Sequence, residues 1–365
     1  MKRLLPLLVL IVLFLSCRKS KDSGDFLREK SFGSGTALFI ASTNDSGLVV
    51  CGSSDGKPLL VRLDNSFFTM LEVSDIEAGS FSSALFDTTG YVTGGNSGGD
   101  ILLCRYSRTG RQLWRKTIDA GYSIGLTKIF NTGSGNILAV CSAGYDSVSS
   151  GSTGLYFVRL DTTGVILAED NIPSASFIAA GDAALDADGN IYLAITRKEE
   201  GAKPVAVVTK LDEQYQKLWE TDLYNNPEFS ASARGIMLDP YGNIYVTGGT
   251  EVATSGGTLS NTFAVSLDND GSIRDNWKKY PEELNEGAAL LPDASGNILV
   301  LNRYCCVVSV LGADDGSLMD RIRIFSLCYP DNTDAFGTSF ALSGNNIMVA
   351  GSLGGSFFTG LKSTR

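Results

Sequence analysis

Short apolar runs rich in Val, Ile, Leu, Tyr and Phe recur along this chain, each behind a polar turn that ends in glycine. The turn glycines are Gly47, Gly90, Gly135, Gly189, Gly242, Gly296 and Gly344, and successive ones lie 43 to 54 residues apart. The clearest copies run Asp239-Pro240-Tyr241-Gly242-Asn243-Ile244-Tyr245-Val246-Thr247-Gly248-Gly249 and Asp87-Thr88-Thr89-Gly90-Tyr91-Val92-Thr93-Gly94-Gly95. Within a copy the apolar positions alternate with period two, the spacing of a half-buried strand. Each unit divides into four such strands, A to D. One copy predicts strands over 233–238, 243–247, 262–267 and 272–278, and another over 83–86, 91–93, 101–106 and 112–117. Polar turns carrying Gly, Asp or Asn join C to D, as in Asp161-Thr162-Thr163-Gly164 and Asp268-Asn269-Asp270-Gly271, and supply the positive φ that hairpins need.

A strand-rich repeat of roughly 40 to 50 residues is the signature of a radial array of four-stranded sheets. The expected fold is all-β, a seven-bladed β-propeller occupying residues 26–365 as a single domain. The last unit supplies strands at 338–342, 346–350 and 356–361 and then ends, with no strand D. Residues 26–33 resemble a strand D, so the N-terminal strand is expected to close the seventh blade. Trp114, Trp219 and Trp277 all fall in strand D of their units, where a repeated large ring fills the seam between neighbouring blades.

The run Tyr91-Val92-Thr93-Gly94-Gly95, Asp100-Ile101-Leu102-Leu103, Arg105-Tyr106 and Gly110-Arg111-Gln112-Leu113-Trp114-Arg115-Lys116-Thr117 resembles the bacterial β-propeller repeat family of secreted and lipid-anchored proteins. That resemblance speaks for fold and leaves activity open.

The N-terminus departs from the repeat. Met1-Lys2-Arg3 is a basic start, Leu4 to Leu15 an apolar stretch too short to span a bilayer, and Ser16-Cys17 a small residue before cysteine. Residues 1–16 resemble a lipoprotein signal peptide, with Cys17 as the lipidated first residue of the mature chain and residues 17–25 as a flexible tether. The expected location is the bacterial cell envelope, lipid-anchored to the outer membrane, with the anchor as the sole membrane contact and a monomeric ring above it.

Charge and composition remove several activities. The chain has a net charge of −10, which makes it a poor binder of nucleic-acid phosphates. It contains no histidine, which excludes Ser-His-Asp and Cys-His nucleophile systems and the common zinc sites. No cofactor is expected: the Asp-rich turns at Asp186 and Asp268 lack the downstream glutamate of a calcium loop, and no quinone-type site is visible. Cys51, Cys104 and Cys141 read as small buried residues, whereas Cys306 (or its neighbour Cys305) and Cys328 lie where a C–D hairpin would allow a disulfide.

Candidate binding residues concentrate on one side. In a propeller the D–A and B–C connections emerge together, and here they are the long ones, carrying Tyr122, Tyr224, Asn225, Phe229, Tyr329 and Asn332. Rings beside amides suit a glycan or protein ligand, and equally suit the pinning of long loops to the rim. Lys128, Asp182 and Arg234 fall near the start of strand A, at the expected channel mouth. The sequence thus describes a non-enzymatic binding module whose partner is a glycan or an envelope protein. The alternatives are a scaffold for outer-membrane assembly and a propeller enzyme such as a polysaccharide lyase, with Tyr122 and Arg234 as base and charge neutraliser.

Overall fold

The computed structural model describes residues 28–363 apart from 76, 133–134, 144–152, 225–227, 255–256, 284, 305–306, 325–334 and 345. Five four-stranded sheets and one seven-stranded composite sheet, which holds two blades, make a ring of seven blades, each antiparallel with strand A innermost. Blade 1 comprises the second half of β1 (Arg28–Ser42) with β2 (Leu48–Ser54), β3 (Lys57–Leu63) and β4 (Thr69–Ser74). Blade 2 is β5 (Ser80–Phe86), β6 (Gly90–Ser97), β7 (Asp100–Ser107) and β8 (Gln112–Ile118). Blade 3 is β9 (Ile124–Asn131), β10 (Ile137–Ala143), β11 (Thr153–Leu160) and β12 (Ile166–Ser174). Blade 4 is β13 (Phe177–Leu185), β14 (Ile191–Lys198), β15 (Val205–Leu211) and β16 (Lys217–Tyr224). Blade 5 is β17 (Ser230–Leu238), β18 (Ile244–Thr254), β19 (Gly257–Leu267) and β20 (Lys279–Glu283). Blade 6 is β21 (Gly287–Pro292), β22 (Ile298–Asn302), β23 (Val307–Leu311) and β24 (Leu318–Arg323). Blade 7 is β25 (Ala335–Ser343), β26 (Asn346–Leu353) and β27 (Ser356–Ser363), completed by the first residues of β1.

The closure expected from sequence is present. Arg28 pairs with Leu361, Ser31 with Phe358 and Ser34 with Ser356, after which the same strand turns inward and pairs Gly35 with Ser54 through Ser42 with Leu48. The change of partner falls at Gly33, whose φ of 61° and closeness to Ser54 leave no room for a Cβ. Phe32 meets Phe357 edge to face at 5.7 Å and seals the join.

The core is a set of inter-blade clusters rather than one centre. Cys51, Cys104 and Cys141 are fully buried within them, and burial pushes the Cys104 thiol up to about 12, so these are inert packing groups. The tryptophans fill the seams as expected. The Nε1–H of Trp114 donates to the Thr162 carbonyl of the next blade (3.1 Å), that of Trp219 to Asn269 (3.2 Å) and that of Trp277 to Ala313 (2.9 Å). Each ring lies against a turn glycine, Gly164, Gly271 or Gly316, where a Cβ would come within 2.9 Å of the indole.

One expected strand is different. Residues 272–278 do not form strand D of blade 5; Asp275–Trp277 make a 3-10 turn and the strand is Lys279–Glu283. Gly110 and Trp114 are four positions apart, but Gly271 and Trp277 are six, and the two extra residues are coiled into that turn so the ring still reaches its seam.

The short turns are built by aspartates. Asp186 Oδ1 accepts the N–H groups of Asp188 and Asn190, while its Oδ2 accepts from the Asn190 amide and the Tyr192 hydroxyl. Asp239 and Asp293 repeat the arrangement, so these carboxylates are turn caps.

Candidate functional site

Every strand A carries a β-bulge at the same level. The bulged residues are Leu38, Ser82, Thr127, Gly181, Arg234, Ala288 and Thr338, one per blade. A bulge turns the strand and re-aims its side chain, and all seven line one central cavity of about 690 Å³.

Hydroxyls at this ring join one blade to the next. The hydroxyl of Ser82 donates to the Leu126 carbonyl (3.1 Å), Thr127 to Ala180 (3.2 Å) and Thr338 to Ala37 (2.6 Å). The following residue closes a second contact in the other direction: Ser83 accepts the Ile129 N–H and Ser339 the Ile40 N–H. Asp182 occupies this second slot in blade 4, where its Oδ2 accepts the Ile236 N–H at 3.2 Å and its Oδ1 takes the ammonium of Lys128 at 2.8 Å. Lys128 holds the same slot in blade 3. The pair therefore sits halfway down the channel wall, rather than at the mouth expected from sequence, because bulge and slot lie in the middle of β9 and β13.

Arg234 reaches upward instead. Its Nε donates to Oε1 of Glu286, a carboxylate whose side chain is only 10% exposed and which also accepts from Ser232 (3.1 Å) and stands 3.7 Å from Arg303. The Arg303 guanidinium lies over the rings of Phe336 (5.4 Å) and Tyr304 (5.8 Å) in the B–C connection of blade 6. The Arg234 side chain remains 41% exposed and faces the cavity. One buried carboxylate, Glu286, thus holds two guanidiniums on the D–A/B–C side of the ring.

Glu286 and Arg303 were not among the candidates read from sequence. A signal existed for the first: two positions before the bulge the other blades carry Thr36, Ser80, Gly125, Ala179, Ser232 and Phe336, so Glu286 is the single charge in that slot. No comparable register marks Arg303, which lies in an irregular connection.

The aromatic candidates lie elsewhere. The Tyr122 hydroxyl donates to Asn171 of β12 at 3.4 Å, its ring packs on the inter-blade core, and burial raises its pKa, the opposite of what a general base needs. Tyr224 meets Phe229 at 5.7 Å and Tyr280 at 6.3 Å, both edge to face, with the Lys278 ammonium over the Tyr224 ring at 4.8 Å. This cluster sits between the outer strands of blades 4 and 5, and neither it nor Tyr122 lines the cavity. Burial lowers the pKa of Lys278, whose Nζ donates to the Leu223 carbonyl. Cys17, Asn225, Tyr329, Asn332, Cys306 and Cys328 lie outside the described residues.

No family model and no curated protein matches the chain. Solved structures do. The WD40 domain of Pan2 from Neurospora crassa superposes with a TM-score of 0.62 over 94% of this chain and 97% of that one, at 13% identity. YCF48 bound to a D1 peptide gives 0.58 over 93% and 95%, at 9% identity. The chain is a seven-bladed β-propeller. PorZ, a surface component of the type-IX secretion system of Porphyromonas gingivalis, matches this propeller with a TM-score of 0.53 at 11% identity, over 89% of this chain and 46% of that one. At such identities the likeness is one of fold.

Proposed function

We propose that this propeller is a non-enzymatic binding module of the bacterial cell envelope, lipid-anchored through Cys17, that takes a protein or peptide ligand at the channel mouth on its D–A/B–C face. The observation that carries the reading is Arg234, held side-on by the buried Glu286 and exposed to a cavity of about 690 Å³. A guanidinium fixed by one carboxylate and open to a second is suited to an acidic side chain or chain terminus. YCF48, similar in fold, is described as bound to a peptide, which agrees in kind.

Two rival readings fare less well. A glycan site draws several rings together at the mouth; Tyr304 and Phe336 stand there but are covered by the Arg303 guanidinium, and Tyr122, Tyr224 and Phe229 are held at the rim. A lyase using Tyr122 and Arg234 requires them at one centre, yet they belong to different blades with separate partners, Asn171 and Glu286. Affinity capture from solubilised envelopes with the full chain, run beside a glycan array, tests the proposal. The expected result is a protein partner retained by the wild type and lost with Arg234→Ala, with no glycan signal. A glycan hit that survives Arg234→Ala would replace this reading.

A further inference from the structure

The exposed apolar side chains are not on the face just described. Of thirteen large apolar residues exposed among the described residues, ten lie on the opposite side, in the A–B and C–D turns or the first residues of strand D. Phe68 is 67% exposed, Met70 65%, Leu167 53%, Leu218 52%, Met319 61% and Tyr241 in its A–B turn 90%. They do not form one patch. The ten belong to blades 1 to 6, so a partner touching them together has to be broad and flat.

The chain enters the ring on this same side. Arg28 begins the outer strand of blade 7 at its C–D end, where its guanidinium donates to the Ser66 carbonyl, and the Lys30 ammonium donates to Thr69 at 2.6 Å. Phe68 and Met70 stand beside these two residues. Cys17 is eleven residues before Arg28, a leash that spans at most about 36 Å fully extended. An acyl chain on Cys17 thus tethers the ring from its short-turn side, the face from which the chain leaves it.

We infer that the A–B/C–D face lies on the lipid bilayer, its ring of apolar side chains entering the interface while the D–A/B–C mouth points away. This rests on the acylation of Cys17 in the function proposed above. Scattered apolar residues at one level of a rigid ring suit a planar interface, and a bilayer meets all six of these blades at once. The turn aspartates on this face favour neutral over anionic headgroups.

The three tryptophans provide the probe, because all donate to C–D turn carbonyls on this side. Full-length acylated protein is reconstituted into vesicles of phosphatidylcholine brominated on its acyl chains; flotation reports the anchor, and tryptophan quenching reports the face. The expected result is flotation with quenching, and loss of quenching but not of flotation in Phe68→Ser/Met70→Ser/Leu167→Ser/Met319→Ser. Flotation of wild type without quenching overturns the face while leaving the anchor. Flotation of Cys17→Ala equal to wild type overturns the anchor, and quenching then decides the face separately. A protein that neither floats nor is quenched overturns both. Self-association abolished by the polar substitutions, without quenching in the wild type, makes the occupant a second copy and overturns the bilayer. If the fourfold variant melts early, Met70→Ser and Met319→Ser singly give the same reading, and the wild-type quenching stands by itself.

Discussion

At the scale of single residues the seams use one volume from either side. Blades 2 and 4 place an indole on strand D, and blade 5 one in the turn just before it, against a turn glycine of the next blade. Between blades 3 and 4 the arrangement is reversed: Ala168, opposite Arg159 as Trp114 is opposite Arg105, leaves a gap, and Tyr215 fills it from the turn. Tyr215 holds the glycine position at φ 63°, stacks on Phe157 at 4.2 Å and receives Arg159. Tyr215→Gly alone should cost about 2 kcal/mol, the lost ring partly offset by relief of the left-handed backbone. Adding Ala168→Trp should recover most of it, and additive losses in a double-mutant cycle by urea unfolding would show that the two positions do not share a volume. The three Trp registers were legible in the sequence; the reversed seam was not, because neither Ala168 nor Tyr215 repeats anything. The turn carboxylates add a pH dependence. Hydroxyl and backbone donors of Thr43, Thr163, Ser272 and Ser317 hold Asp45, Asp161, Asp270 and Asp315 below the ordinary 3.8. At Asp87 burial acts upward but is outweighed by Thr89 and Arg105. A depressed folded pKa contributes stability that is present above 3.8 and lost as pH falls through the folded values. Melting temperatures should therefore hold from pH 7 to 5 and fall below about pH 4, and a flat profile down to pH 3 would dismiss these caps as stabilisers.

At the scale of the element, closure depends on one strand serving two blades. Removing residues up to Gly33 leaves β27 as an open edge and deletes the Phe32–Phe357 contact, so a chain beginning at Ser34 should melt roughly 5 °C lower or more and still unfold in one transition. Equal melting of the two chains would mean that the outer strand adds nothing. This closure was readable because a missing strand D at one end matched an unpaired β pattern at the other. The bulges were not, since Leu38, Ser82, Thr127, Gly181, Arg234, Ala288 and Thr338 share no side-chain type and only the backbone register reveals them. The same register explains why the expected channel charges divide. All three line the cavity, but Arg234, on the bulge, pairs with Glu286 toward the mouth, whereas Lys128 and Asp182, each the residue after a bulge, pair with one another and, through Asp182, with the Ile236 N–H of the neighbouring blade.

At the scale of the whole molecule the two faces differ in chemistry, and that difference is the sharpest thing to test. The D–A/B–C mouth carries Arg234, Glu286 and Arg303, while the short-turn face carries capped aspartates and exposed apolar side chains. Arg234 contributes little to the inter-blade core, so Arg234→Ala should weaken ligand capture by about thirtyfold, a loss on the order of 2 kcal/mol, with an unchanged melting temperature. Glu286→Gln keeps the shape and the Ser232 contact but releases the charge that orients both guanidiniums, and should weaken capture by a smaller factor. Tyr224→Ala and Phe229→Ala, in the rim cluster, should weaken it less than Arg234→Ala because their rings contact Tyr280 and each other rather than the cavity. Asp268→Ala and Thr109→Ala, on the far side, should leave capture unchanged. Titration of the captured partner by calorimetry against this set of variants separates the faces: loss of binding with Asp268→Ala or Thr109→Ala, and none with Arg234→Ala or Glu286→Gln, would move the ligand to the short turns and leave the bilayer no surface to rest on.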